Sequence, residues 1–177
     1  GIAVTCSNPD GLRAPIDKAI AAGIPVVTFD ADSPLSKRYC YLGTGNYNAG
    51  AMAARYLAEL IGGKGEVAIS TVTGQLNHEE KKTGFTETLA KEYPNVKVVN
   101  VGNDNNDQTI AATLVAGFLQ AHPNLSGVFC TDALGGVGAA TAVREANKVG
   151  KVRIVSFDTD KGTLDLIKEG IIDASIA

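Results

Sequence analysis

Residues 127–160 read GVFCTDALGGVGAATAVREANKVGKVRIVSFDTD, and residues 2–32 read IAVTCSNPDGLRAPIDKAIAAGIPVVTFDAD. Each stretch is a β-branched run closing on a cysteine, a polar turn, an alanine-rich segment, a glycine, and a second apolar run. Each ends in Phe-Asp-x-Asp: Phe29-Asp30-Ala31-Asp32 and Phe157-Asp158-Thr159-Asp160. Read by periodicity, both are strand–helix–strand units, so the chain carries a duplicated βαβ element. In doubly wound sheets, ligands bind outside the carboxyl ends of the strands. Asp30 and Asp158 both stand at such ends.

The alternation continues outward from these two units. Strand-like runs fall at 2–6, 25–30, 39–43, 66–71, 96–101, 127–131, 152–157 and 171–176, with helix-period segments at 11–18, 46–61, 77–92, 107–121, 134–148 and 161–168. Strands separated by helices predict parallel sheets covered by helices, an α/β architecture. Asn77-His78-Glu79-Glu80 reads as a helix start with Asn77 as N-cap, and Gly23 and Gly150 fall where helices should stop. Asp107 and Ser126 are expected at element boundaries, and Asp32 and Asp160 as capping residues. The Gly-rich exit Leu42-Gly43-Thr44-Gly45-Asn46 marks a hinge, because glycine tolerates large backbone changes. It separates residues 1–44, with three strands, from residues 45–177, with five. Gly1-Ile2-Ala3-Val4 opens inside a strand and Asp173–Ala177 stops inside another, so the chain reads as cut at both ends.

Composition narrows the classes of function. The 177 residues are 45% hydrophobic and 20% charged, with net charge −3. That balance carries no basic stripe of the kind that binds nucleic acid. No apolar run is long enough to span a bilayer, and no leader segment is visible. Cys6, Cys40 and Cys130 lie outside any CxxC and away from both histidines, so no metal, disulfide scaffold or cofactor is expected. Cys6 and Cys130 close apolar strands and read as buried thiols.

The candidate site follows from the strand ends. An ionised carboxylate accepts two hydroxyl donors side by side and makes strong charge-assisted bonds, which suits Asp30 and Asp158 to vicinal sugar hydroxyls. Gly43–Gly50 fails the dinucleotide fingerprint, because its third glycine position is Asn48; neither a P-loop nor a GxSxG elbow occurs. His78 and His122 have no partner cluster and read as solvated helix-end residues. Asn77 and Lys81 lie one turn apart on a helix that opens on the same crevice as Asp158, so either Lys81 or Lys82 is expected to reach a ligand. Phe29 and Phe157 alternate away from the aspartates and read as core.

GIPVVTFDADSPLSKR, YLGTGNYNAG, NHEEKKTGF, LQAHPNLSGVFCTDALGGVGAATAVREA and VRIVSFDTDKGTLDLIKEGIIDASIA together resemble the ribose/xylose/galactose-type sugar-binding proteins of bacterial ABC transporters. The resemblance runs over essentially the whole chain. It implies two doubly wound parallel-sheet domains of type I periplasmic-binding-protein fold, the first incomplete here, with sugar held between them. It also implies a non-enzymatic, monomeric, extracytoplasmic receptor that closes on its ligand and presents it to a membrane permease. By position, Asp30 and Asp158 match the cleft aspartates of the two domains. Asp132 falls where an Asn often bonds the sugar, and Thr5 at a polar cleft position. Lys81 takes the place of the Arg in R-x-x-G-F, with Asn77 at a common polar position before it. Lys for Arg loses the bidentate fork. Ala31 replaces an Arg of ribose binders, Asn106 sits near a stacking Phe, and Gly45 replaces the hinge Asp. The effector domain of a LacI-type regulator shares the fold and is the alternative. A glycosidase using Asp30 and Asp158 has no other support, and a sensor-kinase receptor would differ only in ligand and partner.

Overall fold

In a computed structural model describing residues 1–177, all strand pairings are parallel and the eight strands divide into two sheets. The first sheet is built from β1 (Ile2–Val4), α1 (Pro9–Ala21), β2 (Val26–Phe29) and β3 (Cys40–Leu42), its strands in the order β1-β2-β3. The second follows from α2 (Asn46–Leu60), β4 (Gly65–Thr71), α3 (Leu76–Glu92), β5 (Val96–Asn103), α4 (Gln108–Ala121) and β6 (Leu125–Cys130). It is completed by α5 (Ala133–Glu145), β7 (Arg153–Phe157), α6 (Lys161–Lys168) and β8 (Ala174–Ile176), in the order β5-β4-β6-β7-β8. The α/β fold class read from the sequence is the one observed. The chain passes from the first sheet to the second through Gly43-Thr44-Gly45.

The second sheet is buried on both faces, and its strands show why they read as continuous apolar runs rather than alternating ones. Val128, Cys130 and Ile154 pack with Val115, Phe118, Ala139 and Val143 of α4 and α5. Phe129, Val155 and Phe157 point the other way, onto Ala53, Leu57, Phe85 and Leu89 of α2 and α3. Phe85 and Phe129 stack at 4.3 Å between ring centroids, and Phe129 meets Phe157 edge-on at 6.0 Å. The first sheet has only Cys6, Ile16 and Val26 as a fully buried cluster, under α1.

Two glycines set how closely α2 and α3 approach. A Cβ on Gly50 would fall 1.9 Å from the Lys81 carbonyl oxygen, and one on Gly84 2.0 Å from that of Tyr47. Backbone therefore touches backbone at this crossing. Gly23 and Gly150 have φ of +77° and +76°, the left-handed geometry expected just past a helix end.

Several sequence readings need correction. Helix α3 starts one residue earlier than read, at Leu76 with Gln75 as N-cap, so Asn77 lies inside the first turn. Asp107 and Asp160 do cap α4 and α6, but Ser126 is inside β6. Asp32 caps no helix. It is buried, accepts from the Thr28 hydroxyl at 2.6 Å and the Ser33 N–H at 2.8 Å, and pairs with Arg38. Phe157 is core, but Phe29 is 44% exposed. The last strand is shorter than expected, because Ile171 and Ile172 turn into the α4–α5 core instead.

Candidate functional site

Strand order reverses direction between β4 and β6, where β5 lies to one side of β4 and β6, β7 and β8 to the other. A crevice forms beyond the carboxyl ends of strands at such a switch point, since the following helices diverge to opposite faces. Thr71 ends β4 and Thr131 directly follows β6, and α3 and α5 start just after them.

Lys81 is 7% exposed, and its Nζ donates to the Thr131 carbonyl at 3.0 Å. The same ammonium sits 4.1 Å from the Phe157 ring centroid, a cation–π contact on the last ring of the core column. Burial lowers its pKa, while Asp158, Asp30 and Asp132, in that order, act to raise it. Three carboxylates thus act on one cation.

Asp132 is 5% exposed and caps α5, where Oδ1 accepts from the Gly135 N–H at 2.7 Å. Its other oxygen, Oδ2, is buried with no hydrogen-bond partner. Burial pushes the carboxyl up to about 6, against the pull of the Gly135 N–H; Asp104 raises it further and Lys81 lowers it. Asp104 is fully buried behind it, accepting from the Ser70 hydroxyl at 2.5 Å and the Asn106 N–H at 2.9 Å. A buried acceptor without a donor is costly, by about 1–3 kcal/mol, so Asp132 is poised for one.

Asp30 and Asp158 have matching backbones as well as matching sequences. Both are exposed and both take positive φ, +59° and +69°. The Asp30 N–H donates to the Leu42 carbonyl at 3.1 Å, and its own carbonyl accepts from the Tyr41 hydroxyl at 2.7 Å. The Asp158 N–H donates to the Ile176 carbonyl at 2.8 Å, and its carbonyl accepts from the Ser175 hydroxyl at 2.6 Å. In each unit the next strand grips the aspartate by its backbone and leaves the carboxylate outside the strand end. Thr5 donates weakly to Asp30 Oδ2, at 3.4 Å.

The fold therefore brings Asp132, Asp158 and Asp30 within electrostatic reach of Lys81, with Thr5 beside Asp30. Asn77 is buried one turn before Lys81 and accepts from the His78 N–H at 3.0 Å, but bonds none of the other five. Of the two lysines, Lys81 turns inward, while Lys82 pairs with Glu79 along the helix. His78 was read as solvated and is not. It is 7% exposed, with Nδ1 2.8 Å from the Thr131 hydroxyl, which also bonds Thr71 at 3.1 Å. Burial, then the Lys81 charge, lowers its pKa to about 4, so the ring is neutral at pH 7. Thr131, Asp104 and His78 had no motif to announce them; Thr131 and His78 were marked only by adjacency to Asp132 and Asn77 in sequence, and Asp104 by nothing. The largest surface groove, about 820 Å³, lies elsewhere, between α2 and α3 around Tyr47, Met52, Arg55 and Glu92, and none of the six expected residues lines it.

A sequence profile of the periplasmic binding protein domain matches residues 1–177. The structure superposes on a sugar ABC transporter sugar-binding protein from Bacillus halodurans with TM-score 0.89 and 49% identity, covering 97% of this chain and 59% of that one. An ABC transporter solute-binding protein from Burkholderia graminis, in complex with D-arabinose, matches with TM-score 0.93 and 38% identity, over 97% of this chain and 61% of that one. Among curated sequences, the ribose import binding protein of Bacillus subtilis is 27% identical over 181 residues, covering all of this chain and 58% of its own length. The chain spans about three-fifths of these relatives.

Proposed function

The chain belongs to the periplasmic binding protein domain family, and from that premise we propose that its parent protein is a receptor for a neutral sugar or related polyol. The receptor is non-enzymatic, monomeric and extracytoplasmic, and it hands its ligand to the permease of an ABC transporter. Residues 1–44 belong to one jaw and residues 45–177 to the other, with Gly43-Thr44-Gly45 as part of the hinge. Asp30 and Thr5 contact the ligand from the first, and Asp158, Asp132, Lys81 and Asn77 from the second. Ligand bonds to both jaws favour the closed form over the open one.

One observation carries this reading: the crevice is rich in acceptors and short of donors. Three carboxylates act on a single ammonium, and the buried Asp132 Oδ2 has no donor at all. A polyol brings a row of hydroxyl donors to such a site. An anionic sugar acid or sugar phosphate would meet a surplus of like charge, which costs affinity.

A thermal-shift panel on the full-length protein tests the reading, using D-arabinose, D-xylose, D-ribose, D-glucose, D-galactose and inositol. A ligand present at 100 times its Kd stabilises the folded state by about 2.7 kcal/mol, a rise of several degrees. Asp158→Ala is expected to abolish that rise, read against the variant's own unliganded melting temperature, which alanine at φ +69° lowers. If no polyol raises the melting temperature of the unaltered protein, the sugar reading fails.

A further inference from the structure

Lys81 and His78 sit three residues apart on α3 and grip the same residue, one by its carbonyl and the other by its hydroxyl. Lys81 has a matching position in the sequence resemblance described above; His78 has none. Its ring is held edge-on by Thr131, whose hydroxyl also bonds Thr71, so the Nδ1 side is committed to the protein. The Nε2 side is different. It has no hydrogen-bond partner in the chain, yet it is not among the sealed-off polar atoms without a hydrogen bond, which are Asp132 Oδ2 and Arg38 Nε, the latter ion-paired with Asp32. The small exposed fraction of His78 therefore includes Nε2.

Asp30, from the first sheet, lies close enough to act on the His78 charge, as do Lys81 and Glu79 from α3 and Asp104 from the turn after β5. His78 thus shares its Thr131 anchor with Lys81, beside Asp132, and its Nε2 edge is left open to the crevice. A neutral imidazole nitrogen exchanges a hydrogen bond with a hydroxyl in either tautomer, because a hydroxyl both donates and accepts.

We propose that His78 is a ligand contact: Thr131 anchors its Nδ1 edge, and its Nε2 edge bonds a hydroxyl of the bound polyol. The inference deepens the sugar-receptor reading and rests on it. His78 joins Asp158, Asp132, Lys81 and Asn77 as a further ligand group of the second half, and the only ring among them.

Two amide substitutions separate the two edges. The amide of His78→Asn reaches the place of Nδ1 and keeps the bond to Thr131, but puts nothing at Nε2. That of His78→Gln reaches the place of Nε2 and abandons Thr131. Titration calorimetry of the full-length protein with D-arabinose and D-xylose, and melting of the unliganded variants, give the readouts. We expect His78→Asn to weaken binding about tenfold, the loss of one hydrogen bond, while melting near the unaltered protein. His78→Gln is expected to retain most of the affinity and to melt lower. The reverse pattern, with His78→Asn binding normally and His78→Gln binding poorly, would show that His78 only supports Thr131 and overturns the proposal. An unaltered protein that binds neither these pentoses nor any polyol of the panel overturns the sugar reading, and the His78 contact with it. Normal binding by the unaltered protein and by both variants overturns the His78 contact alone.

Discussion

Asp132 and His78 place opposite proton demands on the same crevice. Folding holds His78 at about 4 against an ordinary value of 6.5, through burial and the Lys81 charge. Between those two pH values the unfolded chain takes a proton that the folded one refuses, so acidification drains stability. Asp132 runs the other way. Its folded value of about 6 stands above an ordinary 3.8, chiefly through burial, so acidification from pH 6 to 3.8 adds stability. Each slope reaches at most about 1.4 kcal/mol per pH unit, and over pH 4–6 they largely offset one another. Asp132→Asn, which retains a good N-cap for α5, removes one slope and exposes the other. Its melting temperature should fall more steeply than the parent's as pH drops from 6.5 to 4.5. His78→Asn should fall less steeply; parallel curves for all three proteins would show that neither group titrates this way. The carboxylates were legible in the sequence because they repeat in repeated contexts. His78 was not, since a lone histidine beside a helix start is indistinguishable from a solvated one until a strand end is seen to meet it.

Helix α3 carries both Asn77 and Lys81, and its placement rests on the crossing with α2. A methyl group on Gly84 would lie 2.0 Å from the Tyr47 carbonyl oxygen, a backbone atom of a packed helix that cannot rotate aside. Gly84→Ala must therefore lever α3 away from α2, although alanine is the better helix former by about 1 kcal/mol. Overpacking of this kind costs about 1–3 kcal/mol or more, and the clash wins. We expect a melting temperature lower by several degrees, and weaker sugar binding because Lys81 shifts with the helix. A variant that melts at the parental temperature would show that α2 and α3 can separate freely. At this scale the sequence was a good guide to the order and type of elements, which strong apolar runs and glycine stops dictate. It misjudged Phe29, because alternation along a strand says which residues share a face but not whether that face is covered. Phe157 meets α2 and α3, whereas the first sheet has α1 alone among its own residues.

Across the whole molecule, the division into a three-stranded and a five-stranded sheet followed from counting strands on either side of Leu42–Asn46. Which residues face one another across that division did not follow, since it depends on how the chain folds back in space. The same division distributes the thiols unequally. Cys6 and Cys130 are fully buried, and burial raises both thiol pKa values, whereas Cys40 is exposed on β3. Of these three thiols, a maleimide should modify one rapidly in the native protein and all three in denaturant, as mass spectrometry would count. Rapid native modification of two would mean that one of the small cores opens readily. Cys40 stands two residues before Leu42, whose carbonyl holds Asp30, and so belongs to the first sheet, whereas Lys81 packs on the second. If the proposed closure operates, a fluorophore attached at Cys40 would report it with no cysteine engineered in, which would make the native thiol a ready handle for an optical sensor.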